Sequence, residues 1–187
     1  MSQQQSLLVS YKREYPTRVI IVPMNAVQSA DLNQMVAIGT RDLGGCSTVV
    51  IASKTGAILA HLPPRPSMDL SDPFTGDSNV RRLMTQVVDL YHAHRDKYFA
   101  TITDTVIVCA FHEGEIALQD QVQIMTTKLQ GLGPEIYTYQ VPVQHGIPGR
   151  GTVAVVGSQG FVTLGLPDRP RPLILVEDMV YVPRHNS

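Results

Sequence analysis

An α+β fold is predicted by three observations. Apolar runs of strand length recur along the chain, only two segments carry a helical apolar stripe, and turn residues (14 Gly and 13 Pro) separate the runs. The 187 residues suit one domain, taken here as 1–187 with residues 1–17 as a partly ordered N-terminal extension. Fifteen Lys and Arg balance sixteen Asp and Glu, for a net charge of −1, which excludes a polyelectrolyte and argues against nucleic acid as partner. Two cysteines exclude a disulfide scaffold. No window approaches a membrane span and the N-terminus lacks a signal-peptide pattern, so the cytoplasm is the expected location and no membrane partner is expected.

Taken in order, Arg18–Pro23 is a short apolar strand ended by proline. Asn25–Gln34 has little periodicity and reads as a short helix or turn. Met35–Thr40 is a strand, and Asp42–Gly45 a glycine-rich loop. Ser47–Ser53 and Ala57–Leu62 flank Lys54–Gly56 as a hairpin. Pro63–Asp77, with four prolines, is a long irregular connection. Asn79–Tyr98 is the strongest helix, with Val80, Leu83, Met84 and Val87 on one face and Asp77 or Ser78 as its cap. Thr105–Phe111 is continuously apolar, as in a central strand covered on both faces. Ala117–Gln130 is a second helix, stopped by Gly131 and Gly133-Pro134. Tyr137–Val141, Thr152–Val156, Phe161–Leu164 and Leu173–Val176 complete the strands.

Chemistry concentrates in Thr40-Arg-Asp-Leu-Gly-Gly-Cys46. Gly44 and Gly45 permit a sharp bend that presents a thiol, and the amides of Gly44, Gly45, Cys46 and Ser47 are candidate donors to an oxyanion. A thiol needs a base or cation beside it to react at neutral pH. His61 is the candidate. Across a two-residue turn, opposed residues sum to 107, 109 or 111, and Cys46 and His61 sum to 107. They then share a face of the ribbon, directly opposite or one pair displaced. Such a pair is expected to favour thiolate–imidazolium at neutral pH. The plain alternative is a buried cysteine and a core histidine that meet by coincidence.

Leu-Gly-Gly before Cys46, Thr40 six positions upstream of it and His61 fifteen downstream resemble the cysteine glutamine-deamidase superfamily. Chemoreceptor deamidases of the CheD type and the catalytic domains of cytotoxic necrotizing factor toxins belong to it. The resemblance covers about residues 35–63, with Gly45 where the family commonly has serine. It implies a mixed β-sandwich flanked by helices. It also implies Cys46 as nucleophile, His61 as general base and acid, Thr40 as the hydroxyl orienting His61, and a protein glutamine as substrate.

Elsewhere Cys109 reads as packed core, and His92 and His94 point to different helix faces, poor geometry for a metal. His112 and His145 are secondary site candidates. No phosphate loop, dinucleotide fingerprint or metal motif is present, and no cofactor is expected. Three functions stay open: a glutamine deamidase, a Cys-His enzyme acting on a small amide, ester or thioester or catalysing an isomerisation, and a non-catalytic binding module. The loops Pro63–Asp77 and Pro142–Arg150 are expected to wall the substrate site.

Overall fold

Strands that are apolar at every position need cover on both faces, and the chain supplies it with four layers, helix–sheet–sheet–helix. The computed structural model describes residues 5–184. α1 (Leu7–Glu14) leads into β1 (Val19–Ile21), β2 (Ala26–Asp31), β3 (Ala37–Thr40), β4 (Ser47–Ala52) and β5 (Gly56–Leu62). There follow α2 (Thr75–Tyr98), β6 (Asp104–His112), β7 (Glu115–Ile116), α3 (Gln119–Lys128) and β8 (Glu135–Gln140). The last described elements are β9 (Val153–Val156), α4 (Ser158–Thr163), β10 (Leu173–Val176) and β11 (Met179–Val180).

One sheet has the order β1-β3-β9-β10-β11, and the other β2-β5-β4-β6-β7, with β8 parallel to β6. Alternate residues of β4 and β5 divide between two cores. Val50, Ala52 and Leu59 face the other sheet, meeting Ile38, Val153 and Ile174. Val49, Ile51 and Ile58 face outward against Leu83 and Val87 of α2 and Met125 of α3. The outer face of the first sheet packs Ala37, Val156 and Leu173 against Leu8 and Tyr11 of α1 and Phe161 of α4. α1 lies so close that a Cβ on Gly39 would stand 2.7 Å from both Leu8 Cδ1 and the Val153 carbonyl. Glycine there lets helix and sheet touch.

The mixed sandwich with flanking helices agrees with the α+β expectation, and several elements differ from it. Residues 1–4 lie outside the described chain, but Leu7–Glu14 is no loose extension. Ser6 caps the helix through its Oγ, which accepts the Val9 N–H at 3.2 Å, and Leu8 and Tyr11 are buried. Asn25–Gln34 contains no helix: Ala26–Asp31 is the edge strand β2, whose half-exposed positions tolerate Gln28 and Ser29 and so hide the strand pattern. Phe161–Leu164 is no strand: Phe161–Thr163 close α4 and Leu164 is its C-cap. Phe161 and, three positions on, Leu164 both pack against the outer core while Val162 is 81% exposed, the i,i+3 spacing of a helical turn and not the alternation of a strand. α2 begins at Thr75, before the expected cap at Asp77 or Ser78, and Phe74 at its N-cap position makes no side-chain capping bond. Among the described residues, no helix is long and apolar enough to cross a membrane.

Candidate active site

Ser53 N–H donates to Gly56 O at 2.9 Å, closing a two-residue turn at Lys54-Thr55. Hydrogen-bonded pairs alternate along an antiparallel ladder, so Ser47 and Leu62 form one, and Thr48 and His61 face each other in the closer, unbonded kind. The opposed sum is therefore 109, and Cys46 is displaced from His61 by one pair, the second of the two geometries the numbering allows. Cys46 joins the inter-sheet core with Val50, and Thr48 and His61 share that face by parity. Cys46, Thr48 and His61 thus stand together at one end of the layer between the sheets.

Thr40 reaches this layer from the opposite sheet. Its Oγ1 lies 2.7 Å from His61 Nδ1 and 2.7 Å from the Val22 carbonyl oxygen. A carbonyl only accepts, so the single hydroxyl hydrogen goes to Val22 and the Thr40 oxygen accepts from Nδ1–H. The proton on Nδ1 leaves Nε2 with its lone pair free. His61 Nε2 is buried and makes no hydrogen bond, with Cys46 Sγ or any other described group. This is the protonation pattern of a general base. Thr40→Val, which keeps volume but loses both bonds, is expected to lower turnover on the order of 10²-fold by freeing the ring and its tautomer. Steady-state kinetics beside circular dichroism checks it: full turnover in a folded variant removes Thr40 from the site.

Burial decides the charge of the resting pair. Desolvation pushes the Cys46 thiol up to about 11. It also lowers His61 below the ordinary 6.5, opposed by the Asp42 carboxylate. In place of the expected thiolate–imidazolium pair, burial favours a neutral thiol and a neutral imidazole, because desolvation disfavours the charged form of each.

The bend before Cys46 is real. Gly45 has φ +123°, a conformation that side chains rarely adopt, and its amide and the next carbonyl are fixed by one phenol. Tyr139 of β8, buried, donates its hydroxyl hydrogen to Cys46 O at 2.6 Å and accepts the Gly45 N–H at 2.9 Å. That changes the oxyanion expectation. The Gly45 N–H is occupied by Tyr139, the Gly44 N–H donates to Asp42 O at 2.9 Å, and the Ser47 N–H is spent in the β4–β5 ladder. The β4–β6 ladder ends at Thr48–Val108, and Ala110 O, the next acceptor along, takes the Ala117 N–H. Among the described residues the Cys46 N–H makes no hydrogen bond, unlike the other three amides of the bend. Tyr139→Phe is expected to cost about 1–3 kcal/mol, since it strands a buried donor and acceptor. A chemical-denaturation midpoint unchanged from wild type would show that the phenol does not fix the bend.

The other candidates separate from this cluster. Cys109 is buried against the helical layer, where desolvation raises it to about 11. His112 is exposed, with Nδ1 3.1 Å from the Val141 carbonyl. His145 lines a cavity of about 240 Å³ between the Asp42–Gly44 loop and the Val143–Gly151 loop, beside the bend but not among its buried groups. The loop over 142–150 thus lines a space beside the bend that Cys46, His61 and Thr40 do not line, and the Pro63–Asp77 connection does not line it. No group of three His, Cys, Asp or Glu among the described residues is placed to hold a metal. Sequence reasoning missed Tyr139 and Val22, which carry no signal of their own. It also missed Thr48, which face parity from Cys46 would have found. No family model matches the chain, and no curated protein matches it.

Proposed function

We propose that this protein is a cofactor-free cysteine hydrolase that deamidates glutamine side chains, converting Gln to Glu on a protein substrate. The observation that carries the reading is the Thr40–His61 bond at 2.7 Å, which leaves a bare, buried Nε2 on the face shared with Cys46. The spacing of the three residues, which resembles the cysteine deamidases, supports the same chemistry. Nε2 takes the thiol proton as Sγ bonds to the carboxamide carbon, and the carbonyl oxygen, now anionic, meets the Cys46 N–H. The imidazolium returns that proton to the nitrogen, the C–N bond breaks and ammonia leaves a thioester. Water then gives a proton to Nε2 and adds to the thioester carbon. The C–S bond breaks, the thiolate regains its proton from the imidazolium, and glutamate is released. The thiol proton leaves with ammonia and a proton from water replaces it, so one glutamine and one water give one glutamic acid and one ammonia, the Cys–His pair is restored, and no cofactor enters the balance. The cytoplasm suits this assignment, since its reducing pool keeps a thiol free.

The open cavity beside the bend favours an exposed glutamine on a protein over a small amide enclosed on all sides. The test incubates the protein with a glutamine-rich unfolded protein and, separately, with free glutamine and short aliphatic amides. Mass spectrometry and ammonia release should report amide-to-acid conversion in the protein substrate. Conversion of the small amides alone would select the small-molecule enzyme, and no conversion with any of them would leave the chain a binding module.

A further inference from the structure

The structure assigns Thr48 a place in substrate recognition: its hydroxyl oxygen accepts an N–H from the carboxamide nitrogen that departs. The inference rests on the hydrolase reading above and adds a residue that neither the motif nor its resemblance includes. Thr48 is fully buried, and its Oγ1 has no hydrogen-bond partner. It faces His61 directly across the ladder, a position where Cβ atoms stand about 4.5–5.5 Å apart, and Cys46 is its next neighbour on the same face. Buried polar groups without partners are rare, and an unpartnered hydroxyl directly opposite an unpartnered Nε2 calls for a shared ligand. Folding does not ask for the hydroxyl. Val49 and Val50 follow it in the strand, and valine has nearly the shape of threonine.

The free Nε2 answers to the Cys46 thiol, so the Thr48 oxygen is left for the substrate. Once Sγ has added, the amide nitrogen is tetrahedral, with two N–H bonds and one lone pair. If Thr48 Oγ1 accepts one N–H, the lone pair turns toward the proton that Nε2 now carries, which is the direction of transfer the reaction needs. When ammonia has left, water fits the same place. It donates one hydrogen to Nε2 and the other to Thr48, and its oxygen lone pair faces the thioester carbon. The class selected is therefore an amide that bears N–H, and a tertiary amide satisfies nothing at Thr48.

The test compares alkylation of Cys46 by 2-chloroacetamide and by 2-chloro-N,N-dimethylacetamide, each rate divided by that of N-acetylcysteine with the same reagent. In this step an S–C bond forms, the C–Cl bond breaks, and chloride departs while the thiol proton passes to His61. Wild type should prefer the N–H reagent. Thr48→Val should lower the chloroacetamide rate about fivefold, the worth of one net hydrogen bond, leave the dimethyl reagent unaffected, and raise Tm by removing a stranded hydroxyl. Thr48→Ser should restore the preference. Valine and wild type alkylating alike, or a lower Tm in Thr48→Val, would overturn the inference and leave the hydrolase reading standing. Preference lost in Thr48→Val, in a protein that hydrolyses no glutamine, would sustain the amide site and defeat the hydrolase reading instead.

Discussion

Cys46→Ala is expected to abolish amide hydrolysis, by on the order of 10⁴-fold or more, in a protein that still folds. On the proposed reading the thiol is the attacking atom, and Thr48 and the Cys46 amide serve only to receive hydrogen bonds from, or donate them to, the substrate. The change removes one buried sulfur from the inter-sheet core, at a cost of about 1 kcal/mol or less of cavity energy. Cys109 offers no substitute, since it belongs to the core on the other face of the sheet. Intact-mass detection of a thioester in wild type and its absence in the variant makes the measurement specific. Persistent Gln-to-Glu conversion in purified Cys46→Ala would end the nucleophile assignment outright.

His61→Ala should fall nearly as far, on the order of 10³- to 10⁴-fold, because a neutral buried thiol near 11 has no other base to ionise it. The same residue sets a pH signature. His61 is held below its ordinary 6.5 in the folded chain, so between that lowered value and 6.5 the unfolded chain binds more protons. Its contribution to stability is therefore complete above about pH 6.5 and is lost as pH falls through the lowered value. The acid limb of kcat/KM should also lie below pH 6.5, where Nε2 takes a proton and ceases to be a base. On the alkaline side activity should hold until the thiol titrates near 11. Melting curves across acid pH check the stability arm: the slope below 6.5 should diminish in His61→Ala. An equal slope in both proteins would assign the acid sensitivity to other groups.

The elements legible in the sequence were those whose own pattern decides them. The runs Val49–Ala52 of β4, Ala57–Ala60 of β5 and Val106–Ala110 of β6 are apolar without interruption because both faces are covered, and α2 shows its stripe because only one face is. Cys46 and His61 could be placed on one face from turn length alone, since side-chain parity survives any uncertainty about the neighbours. What depends on tertiary contact was silent. β2 is strand-like only through its pairing with β5, and α4 overrides the β-prone Phe161-Val-Thr-Leu164 because Phe161 and Leu164, one helical turn apart, both pack on the outer core. The amides at the bend looked equivalent in the sequence. A phenol 94 positions away, on β8, decides that the Gly45 N–H is occupied.

That distance along the chain orders events during synthesis. Val22, Thr40, Cys46, Thr48 and His61, the groups that bond, attack or accept, all leave the ribosome within the first third of the sequence. Tyr139 and strands β9 and β10, which fix the bend and close the layer between the sheets, emerge much later. A nascent chain ending after β5 holds all five of these groups but lacks the β9 and β10 residues that enclose the layer between the sheets. Burial is what pushes the Cys46 thiol up to about 11, so the dry, neutral thiol–imidazole pair exists only once the second half of the chain has folded over the first.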